Sequence, residues 1–208
     1  MTAQNLSQLI QQIAQTTVTD LSLAQKGLTE LPPEIGLLAN LTELNLSDNK
    51  LAELPPEIGL LTRLTRLGIY GNHLKTLPPE IGHLTHLREL FAWDNQLTEL
   101  PPEMAGLSDL SQLILAKNQL AGLPPEISQL RNLTRLNVHH NQLTEIPPEI
   151  GQLALLIDLK LSENQLSKLP ATIGNLGQLR ELDLSDNQLT ELPPEIGQLT
   201  NLHRSRSC

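Results

Sequence analysis

The sequence is nearly devoid of aromatic residues, with one Trp, one Tyr and one Phe in 208 positions. A core anchored on packed rings is therefore excluded, and the interior must be aliphatic. Cysteine occurs once, as the last residue, Cys208. That rules out an intrachain disulfide framework and a Cys-rich zinc site, and it points to a reducing compartment, the cytoplasm. Cations are also scarce: Lys+Arg 14 against Asp+Glu 23 leaves a formal net charge of −9. A phosphate backbone would be repelled, so no nucleic-acid partner is expected. Long hydrophobic runs are missing as well. The first twenty residues carry only Leu6, Leu9, Ile10 and Ile13 among Gln, Ser and Thr, which matches neither a signal peptide nor a membrane span, and no membrane partner is expected. The Asn-x-Ser/Thr triplets at Asn5, Asn40, Asn45 and Asn132 then have no glycosylation context.

What the sequence has in abundance is leucine, 49 residues, together with 15 prolines. Asn49, Asn72, Asn95, Asn118, Asn141, Asn164 and Asn187 recur every 23 residues without insertion or deletion, and Lys26 holds the same slot one period earlier. Between these markers a single pattern returns, LxxLxLxxNxLxxLPPEIGxLxx, seen in Leu41, Leu44, Leu46, Asn49, Leu51, Leu54, Ile58 and Leu61. Leu44 and Leu46 alternate with Glu43, Asn45 and Ser47, a period of two that predicts a short strand. The Pro pair opens the return half, where Ile58 and Leu61 lie three apart, and predicts one or two helical turns with Pro56 at the first helical position. Glu57 and its counterparts Glu34, Glu80, Glu103, Glu126, Glu149 and Glu195 fall where a helix dipole favours an anion, so they need no catalytic role. The recurrent Asn is expected to satisfy backbone groups orphaned at the bend.

Repetition at this period predicts a stacked coil in which each unit buries its apolar columns against its neighbours. Three regions follow: a capping helix in 1–17, whose residues 5–15 place Leu6, Leu9, Ile10 and Ile13 on one stripe, eight repeats over 18–202, and an irregular tail at 203–208. In the tail, Ser205 and Ser207 stand where two inward strand leucines would be, and no polar cap is recognisable. Two readings stay open there: a frayed end, or the amino-terminal part of a longer protein.

The units resemble leucine-rich repeats over almost the whole chain, and the 23-residue LPPEIG variant is most similar to those of Ras-group and bacterial Roco proteins. That resemblance implies an α/β right-handed solenoid, a horseshoe with a parallel sheet on its concave face and short helices on its convex face. It further implies a noncatalytic protein-interaction module in intracellular signalling or, alternatively, the sensing part of a Roco-type GTPase or kinase whose catalytic domain is not in this chain. No GxxxxGK[ST] loop, kinase signature or nucleophile elbow occurs in the sequence, so no catalytic residue and no cofactor are assigned.

In such a coil the function is expected among residues the repeat does not dictate, namely four columns facing the concave side. All three aromatics, Tyr70, Phe91 and Trp93, fall in these columns and in adjacent repeats. With Ile114 they predict one exposed patch, the usual composition of a binding hot spot; mutual packing that merely stiffens the sheet is the alternative. Charge divides the surface. Both ends are acidic, and the middle carries Arg66, Lys117 and Arg135 with His139 and His140 alongside. The expected partner is a protein or peptide seated on Arg66, Tyr70, Phe91, Trp93, Ile114, Lys117, Arg135, His139 and His140, and weak pairing of two horseshoes is left open. Cross-strand pairing of Arg66 with Glu43 or Glu89 competes with partner binding. The His pair is read as a pH-sensitive contact and not as a metal site, because neighbouring strand residues point in different directions. Ala92 replaces the Leu, Ile or Val of other repeats behind this patch, and local plasticity is expected there.

Overall fold

The structure, a computed structural model, describes residues 3–206 and the side chains of residues 4–203. Ser207 and Cys208 lie outside the described residues. Helix α1, Ala3–Ile13, comes first. Each of the eight repeats then contributes one three-residue strand: β1 Asp20–Ser22, β2 Glu43–Asn45, β3 Arg66–Gly68, β4 Glu89–Phe91, β5 Gln112–Ile114, β6 Arg135–Asn137, β7 Asp158–Lys160 and β8 Glu181–Asp183. All are parallel and hydrogen-bonded in chain order, so that every residue pairs with the residue 23 positions on, as in Glu43 with Arg66. The sheet lines the concave face of a right-handed solenoid.

The return halves are 3-10 helices of five residues, such as Pro56–Leu60 and Pro79–His83, with a Pro in the first turn and Glu57 or Glu80 beside it. Most neighbouring turns approach one another closely. A Cβ on Gly82 would fall 2.1 Å from the Glu103 carbonyl oxygen, so glycine is needed at that coil, whereas Ala105 and Ser128 fill the same slot in the next two.

Each coil closes over the same buried columns. Leu41, Leu44, Leu46, Leu51, Leu54, Ile58 and Leu61 are all at most 5% exposed, and no coil could bury them alone. The Asn ladder forms as the pattern requires. Asn118 Oδ1 accepts from the Leu97 amide at 3.0 Å, and its Nδ2 donates to the carbonyls of Ala92 at 3.0 Å and Leu115 at 2.9 Å. The Leu115 carbonyl is shared with Asn141 Nδ2 at 3.0 Å, so the ladder runs unbroken from coil to coil.

The two ends differ. Leu6 and Ile10 of α1 are fully buried on the first coil, and Ser7 Oγ donates to Glu34 Oε1 at 2.7 Å. This hydrogen bond holds the Glu34 carboxyl below its usual pKa. At the other end, where the sequence predicts an irregular tail, a ninth strand, β9 Arg204–Arg206, pairs in register with β8. Parallel pairing needs only backbone donors and acceptors, so Ser205 takes the place opposite Leu182 although it brings no apolar side chain. The last coil is correspondingly wetter, with Leu189, Ile196 and Leu202 only partly buried and Leu192 39% exposed.

Candidate functional site

Positions in the first two outward columns lie on the strands, and the third lies two residues beyond each strand's end. The fourth does not continue the strand. Gln25, Asp48, Asp94, Lys117, His140, Glu163 and Asp186 all have φ between 51° and 57°, a left-handed conformation that turns the chain toward the ladder Asn. Gly71 fills the same slot with φ 63°. Lys117 and His140 therefore stand on the rim of the concave face, at the bend and not on the sheet floor.

The aromatic residues come together. The rings of Tyr70 and Trp93 stack with centroids 3.8 Å apart and planes at 8°, and Phe91 meets Trp93 edge-on at 5.7 Å and 73°. Ile114 pairs with Phe91 across β4 and β5. All four are half-buried, since each ring covers part of its neighbour. Ala92, behind them, is completely buried.

Arg66 and Arg135 are engaged by their own sheet. Arg66 Nε donates to Glu89 Oε2 at 2.6 Å, reaches Glu43 only at 3.9 Å, and holds its guanidinium carbon 5.5 Å from the centroid of Phe91. Arg135 Nε lies 3.2 Å from Asp158 Oδ2. The basic balance of the middle repeats is thus largely spent on cross-strand pairs, because in-register parallel strands place these residues directly opposite one another.

The histidines converge where the sequence predicts that they diverge. His140 Nδ1 is 2.6 Å from Glu163 Oε2, and His139 Nε2 is 3.7 Å from Glu163 Oε1. The left-handed backbone at His140 is what lets both side chains face one carboxylate. Its contact with His140, more than any other factor, holds the Glu163 carboxyl below its usual pKa. His139 also contacts Ser162 Oγ at 3.0 Å. Among the described residues no group of three or more His, Cys, Asp or Glu is placed to hold a metal ion.

Two hollows open on the concave face. The first, about 420 Å³, is lined by Asp20, Ser22, Glu43, Asn45, Arg66, Gly68, Tyr70, Phe91 and Trp93. The second, about 390 Å³, is polar and lined by Asn137, His139, Asp158, Lys160, Ser162, Glu181 and Asp183. The sequence places Asp20 and Glu43 in an acidic flank that favours basic segments and not among the expected contact residues, and Gly68, the single glycine in its column, is not among them either. Asp158, which the sequence shows only as one acid of the far flank, is set apart by its surroundings: its side chain is only 10% exposed, Oδ1 has no hydrogen-bond partner, and burial pushes the carboxyl above its usual pKa against the pull of Lys160 and Arg135. Beside this second hollow, β9 continues the sheet, with Arg204 in register with Glu181 and Arg206 with Asp183.

Family-level similarity follows the repeats. Residues 16–96 match the family described as a leucine-rich repeat region, and residues 85–143 and 131–189 match the leucine rich repeat family. No curated protein matches the chain. Among solved structures, a leucine-rich repeat protein of Leptospira interrogans is 39% identical, covers 97% of this chain and 57% of its own, and superposes with a TM-score of 0.82. An internalin from Listeria monocytogenes is 27% identical over 86% of this chain and 51% of its own, with a TM-score of 0.74. The plant peptide hormone receptor RGFR1, in complex with RGF2, is 36% identical over 88% of this chain and 30% of its own, with a TM-score of 0.76. In each case the chain spans less than two thirds of the neighbour's length. Among the described residues no helix is long and apolar enough to cross a membrane.

Proposed function

The chain belongs to the leucine-rich repeat family, and on that premise we propose that it is a noncatalytic interaction module that binds a protein or an extended peptide on its concave face in intracellular signalling. The observation that carries this reading is the aromatic cluster. The protein has three aromatic residues in all, and they meet at concave-face positions that the repeat leaves free, in a hollow of about 420 Å³. Half-buried aromatics at the edge of a concavity supply large, rigid contact area at little conformational cost, which is how interface hot spots are built. A neighbour of the same fold, RGFR1, holds a peptide hormone, in keeping with peptide binding by this architecture. Arg66 and Ile114 flank the cluster, whereas Lys117, Arg135, His139 and His140 belong to a second, polar part of the surface. The LPPEIG form of the repeats favours a second reading, in which this unit regulates a Roco-type GTPase or kinase within a longer protein; reading the coding sequence beyond Cys208 tests it.

The test is the double variant Tyr70→Ala/Trp93→Ala, assayed by capture of partners from lysate with identification by mass spectrometry. Both side chains lie outside the apolar columns, so circular dichroism should remain that of the parent while capture of specific partners is lost. Retention of the same partners by the folded variant would remove the concave patch from the binding surface.

A further inference from the structure

The first hollow has a chemistry more specific than an apolar patch. Gly68 leaves a notch in the sheet between Asn45 and Phe91, and a Cβ there would lie 3.4 Å from Asn45 Oδ1 and 4.0 Å from the Tyr70 ring. One side of the notch is aromatic. The other carries the carboxylates of Asp20 and Glu43, which are exposed. The hydrogen bonds formed by Asp20 are to the hydroxyls of Thr19 and Thr42, at 3.0 and 3.4 Å, neither of them a cation. Glu43 has Arg66 only at 3.9 Å, because the same guanidinium is taken at 2.6 Å by Glu89. Two acids of the hollow, Asp20 and Glu43, therefore share it with one arginine that is engaged outside it by Glu89, and a net negative charge remains beside the rings.

We propose that this hollow seats one arginine or lysine side chain of an extended basic peptide, its charge between Asp20 and Glu43 and its stem against Tyr70 and Phe91. The proposal rests on the concave-face reading above and names the occupant. A long basic side chain gains from both walls, its charge by ion pairing with the carboxylates and its apolar stem by packing against the rings. An aliphatic or aromatic anchor would strip water from two carboxylates and return nothing to them. An acidic anchor would be repelled. Arg66 shows the same pairing within the molecule, a guanidinium 5.5 Å from the Phe91 centroid and beside carboxylates. A volume of about 420 Å³ falls within the roughly 300–1,000 Å³ of small-ligand sites and admits one long side chain with its adjoining backbone.

The test begins with selection from a displayed library of random dodecapeptides on the intact protein. Affinities of synthetic consensus peptides are then read from the fluorescence of Trp93, which is the sole Trp and lines the hollow. The expected result is a consensus with Arg or Lys at one fixed position, binding that weakens about tenfold when that residue becomes Gln or when the protein carries Asp20→Asn/Glu43→Gln, and further weakening with added salt. Both substitutions are on exposed side chains and leave the fold in place, which circular dichroism checks. A consensus without a fixed basic position, or peptides indifferent to Asp20→Asn/Glu43→Gln but lost with Tyr70→Ala/Trp93→Ala, overturns the proposal and leaves the concave-face reading standing. Peptides indifferent to both variants, or no enrichment at all, overturn both.

Discussion

Replacing Asn118 with Ala tests whether the Asn ladder carries stability from coil to coil. The side chain is 7% exposed, and its Oδ1 is the acceptor for the Leu97 amide at 3.0 Å. Its Nδ2 serves the carbonyls of Ala92 and Leu115, but each of these also receives a second amide, from Asn95 at 3.3 Å and Asn141 at 3.0 Å respectively. Truncation therefore orphans one donor fully and weakens two acceptors partially. A buried unsatisfied donor costs about 1–3 kcal/mol and each lost hydrogen bond about 0.5–1.5 kcal/mol, so the expected loss is about 2–6 kcal/mol. Asn118→Asp should cost more than Asn118→Ala although it keeps the shape, because it turns a carboxylate oxygen toward two carbonyls and buries a charge. Asn187→Ala should cost less, since the last ladder position is only partly buried and water can replace the amide. Equilibrium urea unfolding followed by circular dichroism reads all three. A loss below about 1 kcal/mol for Asn118→Ala, or an equal loss at Asn187, would refute the ladder as a source of stability.

Two further outcomes test the coil spacing and the polar hollow. Gly82→Ala should destabilise by about 1–3 kcal/mol or more, because the new Cβ would meet the Glu103 carbonyl at 2.1 Å, whereas Gly122→Ala, with nothing within 4 Å, should change stability by less than about 0.5 kcal/mol; equal melting temperatures for the two variants would contradict the close approach. Burial raises the Asp158 pKa above 3.8 in the folded state, so the folded protein holds that proton more tightly than the unfolded chain, and the ionised carboxylate costs stability at neutral pH. Asp158→Asn should then raise the melting temperature at pH 7, the gain shrinking as pH falls toward 3.8; a lower melting temperature at pH 7 would show that the pair with Arg135 outweighs the burial.

Reading the sequence alone determined the solenoid. A strict 23-residue period leaves one way to bury the leucines, so the strands, the Pro-led return turns, the Asn ladder and the α1 cap follow from local pattern and nearest-neighbour stacking. The same periodicity showed which positions were free, and with them the Tyr70, Phe91 and Trp93 cluster. What the tertiary structure alone decided were the relations between free positions, which the repeat does not dictate. The in-register sheet set Arg66 against Glu89 and Arg135 against Asp158, consuming a basic patch that composition displays as available. The left-handed turn at the fourth column swung His140 beside His139 onto Glu163, and the missing side chain of Gly68 acquired meaning only once Asp20, Glu43 and the rings stood around it. The tail became a strand because backbone pairing along an open sheet edge is indifferent to the absence of leucine. Periodicity specifies a scaffold through repeated local physics, whereas a site depends on the distances and directions of side chains that occur once, and those exist only after the coils have stacked.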